Sequence, residues 1–161
     1  MRYERSGATG GIVEQELVGK SRYEAVAHAD SSHFEYIPFR QAMVVLKSMQ
    51  PFDPTDPTPD FANTVHYYIY EGLGVDAEGV KFYTAVRSPL DRFHGVDAWF
   101  EVGDKVVTLD VTMNQNKDDG YKADVTFVVP NGGLDRKVDK EQFIEYSQKL
   151  AEEVLRLIKE S

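Results

Sequence analysis

Hydrophobic positions in the first half of the chain recur at helical spacing. Residues 12–28 carry apolar side chains three or four positions apart, with a break near Gly19. Residues 38–50 repeat the pattern after a proline that suits a first helical turn. A third helix is predicted over residues 61–73, with Asp60 as its N-cap. The first half of the chain is therefore predicted to be helical.

Alternating apolar and polar positions in the second half predict β-strands. The alternation favours strands at residues 80–87, 96–102, 105–113 and 122–129. Residues 140–159 then return to helical spacing, with apolar side chains along one face. The chain is thus predicted to contain helices, a mostly antiparallel but mixed sheet of about four strands, and a covering C-terminal helix. This combination indicates an α/β or α+β fold.

Length and local composition predict how the chain is divided. The 161 residues suit a single domain that spans 1–161. Residues 1–11 contain three glycines and are predicted to be flexible. Residues 51–60 contain four prolines and three aspartates, which predicts a stiff connector without regular structure. Asp139 is the predicted N-cap of the last helix.

The two central strands are predicted to form a hairpin with a two-residue turn at 103–104. The register set by this turn places apolar residues opposite one another on one face. On the other face, which is not part of the predicted core, it places Asp97 directly opposite Asp110, with Cβ atoms about 4.5–5.5 Å apart. A shift by one residue would set Ala98 opposite Asp110 and spoil both faces, so the pattern itself selects the register.

Two opposed carboxylates in a sheet repel each other unless something offsets the charge. A divalent cation, a shared proton or a nearby lysine or arginine would do so, whereas a fully solvated edge needs no partner. Asp91 and His94 precede the first hairpin strand, and Lys117 and Lys122 follow the second. Carboxylates that hold an ion, with a lysine that steadies water or phosphate, predict metal-dependent phosphodiester hydrolysis.

A strand aspartate followed, in the next hairpin strand, by an acid-x-lysine triplet is the pattern of the PD-(D/E)XK nucleases, the restriction-endonuclease-like enzymes. Residues 80–129 resemble this pattern. The resemblance matches Asp97 to the family's first acid and Asp110 to the acid of the triplet. It implies a restriction-endonuclease-like core, Mg²⁺ or Mn²⁺ as the metal, and DNA or RNA as the partner.

The chain departs from the family pattern at the lysine of the triplet. The triplet reads Asp-Val-Thr, so that Thr112 stands in the lysine's place. The resemblance assigns the role of that lysine to Lys117 or Lys122. The family usually adds an acid from the helix before the sheet, and Glu71 is the candidate for this third metal ligand. These departures leave two forms of the hypothesis, an active nuclease and a degenerate, non-catalytic member of the family.

Composition and charge narrow the classes of function. The chain has no cysteine, which excludes disulfides, thiolate metal sites and a cysteine nucleophile. It shows neither the apolar core of a signal peptide nor an apolar run of membrane-spanning length, so we expect a cytoplasmic protein with no membrane partner. The net charge of −9 argues against tight, non-specific nucleic-acid binding. A nuclease stays open, because metal sites are themselves acidic.

The alternative prediction is a non-enzymatic interaction or dimerisation protein with an acidic surface. The negative charge and the nine tyrosines favour it, as does the missing lysine of the triplet. This prediction includes a homodimer among the partners.

Overall fold

A four-stranded mixed sheet lies at the centre of the structure, in agreement with the predicted fold class. The computed structural model describes residues 9–114 and 123–160. Within them the strands follow chain order across the sheet, as β1 (Lys81–Thr84), β2 (Ala98–Val102), β3 (Lys105–Thr112) and β4 (Val125–Val128). The β1–β2 and β2–β3 pairs are antiparallel, whereas β4 lies parallel to β3.

Six α-helices surround this sheet in the described part of the chain. They are α1 (Thr9–Val18), α2 (Tyr23–Ala27), α3 (Phe39–Lys47), α4 (Asp60–Leu73), α5 (Pro89–His94) and α6 (Lys140–Glu160). Among these, none combines the length and the apolar composition needed to cross a bilayer.

The helix boundaries correct the sequence predictions in three places. Residues 9–11, part of the predicted flexible start, form the first turn of α1. Asp60 lies in the first turn of α4 and not at its N-cap, which is Pro59, and the Asp60 carboxylate instead accepts two hydrogen bonds from Arg136, at 2.8 and 3.0 Å. The short helix α5 was not predicted, because one and a half turns are too few to show helical spacing.

The larger part of the core lies between one face of the sheet and helices α1, α4 and α6. The ring of Phe61 on α4 contacts those of Phe127 on β4 and Phe143 on α6, with centroids 5.1 and 5.8 Å apart. The start of α6 follows the prediction, because the Gln142 N–H donates to the Asp139 carboxylate at 3.0 Å. This layer buries the apolar face that the spacing of the last helix predicts.

Helices α3 and α5 cover the opposite face of the sheet. Trp99 of β2 stacks on Tyr83 of β1 with ring centroids 4.9 Å apart, beside Leu46 of α3 and Leu90 of α5. Trp99 is 0% exposed. The second face of the hairpin, which the sequence predicts to lie outside the core, is therefore a second packed layer.

The outer edge of β1 is closed by the segment that precedes α4. The side-chain amide of Gln50 donates to the Thr84 carbonyl at 3.0 Å and accepts from the Thr84 N–H at 2.8 Å. The Pro54 carbonyl accepts from the Phe82 N–H at 2.8 Å. Residues 51–60 therefore satisfy part of a strand edge that would otherwise present unpaired backbone groups.

Replacing Gln50 by alanine tests this edge. Thr84 is 0% exposed. The Gln50→Ala variant removes the hydrogen-bond partners of the Thr84 N–H and carbonyl, which stay buried. We expect the free energy of unfolding in urea to fall by about 1–3 kcal/mol. Gln41→Ala, at an exposed position of α3, is the matched control and should change it little. Equal losses in the two variants would contradict this account of the β1 edge.

Candidate metal centre

The predicted register of the hairpin holds along its length and ends just before Asp97. The pairs run from Val102 with Lys105 to Ala98 with Leu109, as the turn requires. The Asp97 N–H then donates to the Leu109 carbonyl at 2.8 Å, one residue out of that register. The predicted cross-strand pairing of Asp97 with Asp110 is therefore not part of the ladder, because the chain entering β2 is displaced by one residue.

The side chain of Asp97 accepts a hydrogen bond from β3 at the point where the backbone ladder ends. The Val111 N–H donates to Asp97 Oδ2 at 2.7 Å, so that a carboxylate oxygen occupies the place of a strand carbonyl. The Asp97 carbonyl accepts from the Ala85 N–H at 2.7 Å, and the residue is 2% exposed. Asp97 is thus fixed from both sides at the start of β2.

Asp97 forms an acidic cluster with two residues from separate helices. One carboxylate oxygen each from Glu14 of α1, Asp91 of α5 and Asp97 lie within 4.8 Å of one another. Glu14 and Asp91 are half-buried, so the cluster is closed towards the sheet and reached by solvent from the helices. We refer to these three residues as the acidic cluster.

The loop before α5 fixes the carboxylate of Asp91. Ser88 caps the helix, and its hydroxyl oxygen accepts from the N–H groups of Leu90 and Asp91, at 3.2 and 3.5 Å. The Arg87 N–H donates to Asp91 Oδ2 at 3.0 Å. Arg87 has a φ of 66°, a left-handed conformation that is strained for a residue with a Cβ atom. Strained backbone of this kind is concentrated at functional sites, where the surrounding structure holds it in place.

The electrostatics of the acidic cluster favour a bound positive charge. Burial raises the pKa of Asp97 well above its usual range, and the negative charges of Asp91 and Glu14 raise it further. A hydrogen bond with the Asp91 side chain acts in the same direction, whereas the hydrogen bond from Val111 acts against it. Without a cation, Asp97 therefore holds a proton into the range where an ordinary aspartate is ionised.

The structure brings one of the predicted site residues, Asp97, into the acidic cluster. Asp110 is 2% exposed on β3, where it lies opposite Thr126 of β4, and its carboxylate is not one of the three clustered groups. Glu71 is exposed near the end of α4, in a groove against α6 that none of the clustered acids lines. The predicted lysines, Lys117 and Lys122, lie outside the described residues.

Of the other two acids in the cluster, the sequence indicates Asp91 but not Glu14. The sequence marks Asp91 only as a polar neighbour of the hairpin, while Glu14 lies far away, on a helix without a metal-binding motif. His94, noted beside Asp91, has a structural contact instead, since its Nε2 lies 2.8 Å from the Ile37 carbonyl. The serine-proline pair before Asp91 is a helix-start signal that could have placed this aspartate on α5.

Comparison with known proteins finds no relative of this chain. No protein-family model, curated protein or solved structure matches the chain. The assignment of the acidic cluster depends on the chemistry of its donor atoms. Three carboxylates offer hard oxygen ligands, the kind that Mg²⁺ and Mn²⁺ prefer over softer nitrogen or sulfur. The residues present therefore fit such an ion.

The raised pKa of Asp97 predicts a specific dependence of stability on pH. In metal-free protein the folded state keeps the Asp97 proton above about pH 4, where the unfolded state has lost it. The free energy of unfolding contributed by this residue therefore decreases as pH rises from about 4 through the raised pKa. The asparagine of Asp97→Asn cannot titrate. Its free energy of unfolding, measured by urea titration with EDTA, should therefore rise relative to that of the wild type as pH increases across this window. Parallel pH profiles would contradict the assignment.

A second substitution separates the charge of Asp97 from its structural hydrogen bond. The asparagine of Asp97→Asn retains an oxygen that can accept from the Val111 N–H, whereas Asp97→Ala does not. We expect Asp97→Ala to be less stable than Asp97→Asn by about 1–3 kcal/mol, since a buried donor loses its partner. Equal free energies of unfolding for the two variants would show that this bond does not stabilise the fold.

Proposed function

We propose that this protein binds Mg²⁺ or Mn²⁺ through Glu14, Asp91 and Asp97 and hydrolyses phosphodiester bonds of DNA or RNA. The observation that carries the proposal is the convergence of three carboxylates from three separate elements within 4.8 Å. Like charges gathered at this distance repel each other, and a bound divalent cation offsets this repulsion.

The family resemblance supports the same site with a changed ligand set. Asp97 is the residue that matches the first acid of the PD-(D/E)XK pattern. The pattern also calls for an acid from a helix that precedes the sheet, and Glu14 of α1 is such a residue. In the proposal, Glu14 therefore takes the role that the sequence suggested for Glu71. Asp110 stays a sequence prediction that the acidic cluster does not include.

The chain holds the proposed ligands in place before any ion arrives. Asp97 is fixed by the Val111 N–H, and Asp91 by the Arg87 N–H. Glu14 lies on α1 beside Val13, which is 1% exposed and anchors that helix in the core. Ligands positioned in this way lose little conformational entropy when an ion binds.

The proposed chemistry divides between the ion and the chain. When bound, Mg²⁺ or Mn²⁺ supplies positive charge that offsets the phosphate and makes water more acidic. The half-buried side of the cluster, at Glu14 and Asp91, is the side from which substrate approaches. Lys117 and Lys122 keep their predicted role of steadying phosphate or water.

Calorimetric titration of Mn²⁺ tests the metal site. We expect saturable binding to the wild type, weakened at least about tenfold, or about 1.4 kcal/mol, in each of Glu14→Gln, Asp91→Asn and Asp97→Asn. These variants remove charge while keeping an oxygen in place. Glu71→Gln is the matched control, because Glu71 is an exposed acid outside the acidic cluster. It should bind Mn²⁺ as the wild type does.

Three results would overturn the metal site. The first is Mn²⁺ binding that survives in the Asp91→Asn/Asp97→Asn double variant. The second is binding that Glu71→Gln abolishes. A wild type that binds no Mn²⁺ would also overturn it and would favour the alternative of a non-enzymatic interaction protein.

A cleavage assay tests the hydrolytic half of the proposal separately. The substrates are supercoiled plasmid, a four-way DNA junction and single-stranded RNA, each with Mg²⁺ or with EDTA. We expect cleavage that needs Mg²⁺ and falls by at least about a hundredfold in Asp97→Asn. Mn²⁺ binding without cleavage of any substrate would overturn the nuclease and leave the metal site. Cleavage that persists undiminished in Asp97→Asn would overturn the site.

A further inference from the structure

A concave site lies apart from the acidic cluster, between α4, the connector at residues 51–60 and the start of α6. Its volume is about 620 Å³, within the range of small-molecule sites. None of the three clustered acids lines it. One face of α4 forms its floor, since Asn63, His66, Tyr67 and Tyr70 recur at helical spacing. We call this site the tyrosine cavity.

Three carboxylates border the tyrosine cavity. Asp53 and Asp56 come from the connector, and Glu78 lies on the short 3₁₀ turn that follows α4. The Asp53 carboxylate accepts from the N–H and hydroxyl of Thr55, at 2.9 and 2.8 Å. Asp56 Oδ1 accepts from the Asn63 side-chain amide at 3.0 Å. These bonds fix the two aspartates in the lining of the cavity.

Aromatic rings supply the apolar part of the lining. Tyr67 lies edge-to-face against both Tyr68 and Tyr70, with centroids 5.3 and 5.5 Å apart. Tyr67 is nevertheless 45% exposed, so a ring of this array is available to a ligand. Tyrosine faces attract cations through the ring quadrupole, and neighbouring carboxylates add a separate Coulomb attraction for the same charge.

The basic groups of the lining, Arg136 and His66, do not repel a bound cation strongly. Arg136 donates to both carboxylate oxygens of Asp60, and its guanidinium lies 4.7 Å from the ring centroid of Phe143, so its charge is already offset. His66 is 2% exposed, and its Nε2 lies 2.7 Å from the Val80 carbonyl. Burial lowers the pKa of His66, which keeps the ring neutral at pH 7. The lining therefore has a net negative charge.

We propose that the tyrosine cavity binds a small organic cation, an ammonium or guanidinium group on an apolar stem. The cation lies over the face of Tyr67, while Asp53, Asp56 and Glu78 offset its charge. An anion meets three carboxylates and is repelled, while the rings add an attraction for an organic cation that a hydrated metal ion does not use. This inference is independent of the metal site at Glu14, Asp91 and Asp97.

Titration of the ¹⁵N-labelled full chain with choline tests the proposal. The matched probe is 3,3-dimethylbutan-1-ol, which has the shape of choline without its charge. We expect saturable shifts of cavity amides such as Asn63 with a Kd of about 1 mM or tighter, and binding of the neutral probe at least about tenfold weaker. Glu78→Gln and Tyr67→Leu should each weaken choline binding about threefold or more, while Tyr67→Phe, which keeps the ring, retains it.

Three outcomes would overturn the proposal. One is the absence of saturable shifts at the cavity. Another is equal affinity for choline and its neutral analogue, which would show that charge plays no part. The third is unchanged choline binding by Tyr67→Leu. Glu71→Gln, on α4 but outside the cavity lining, is the control and should bind choline like the wild type.

Discussion

The burial of one carboxylate, Asp97, is the constraint on which the centre of this structure depends. The fold places it 2% exposed at the point where β2 begins, and an ionised carboxylate in such a place costs several kcal/mol unless it is paired. The Val111 N–H offsets part of that cost by donating to the carboxylate. Asp91 and Glu14 act in the opposite sense, because they add negative charge to the same small volume. Such an arrangement is stable with a shared proton or a bound cation.

The same constraint connects the two layers of the core. Asp97 ends the backbone ladder of the hairpin, so the chain before it turns away from β3 and forms α5 over the second face of the sheet. The helix α5 brings Asp91 to Asp97, and the loop before this helix contains the strained backbone of Arg87, whose N–H donates to Asp91. α1 then approaches from the other layer and adds Glu14. The candidate metal centre is therefore located where the two layers meet.

Sequence reasoning predicted the features that depend on local pattern. The register from Val102 to Ala98 followed from the turn and the alternation of apolar residues, and both leave one choice. The displacement at Asp97 could not be predicted, because the alternation of apolar and polar residues continues unbroken through Val96 and Asp97. The same is true of Glu14, because apolar spacing predicts the helix that carries it but not the long-range packing that brings this helix to Asp97. The sequence showed that the charge of Asp97 needs a partner, but it predicted the wrong one. Asp110 lies on β3, outside the acidic cluster.

The acidic cluster and the tyrosine cavity, both within the described residues, differ in their chemistry. The acidic cluster is compact and backed by the sheet, which suits a small, hard cation, whereas the tyrosine cavity is larger and aromatic. Paramagnetic broadening of amide signals by substoichiometric Mn²⁺ distinguishes them most directly. We expect broadening centred on Glu14, Asp91 and Asp97 in the wild type and its loss in Asp97→Asn. Broadening centred on Asp53 and Asp56, or spread evenly over the acidic surface, would contradict it.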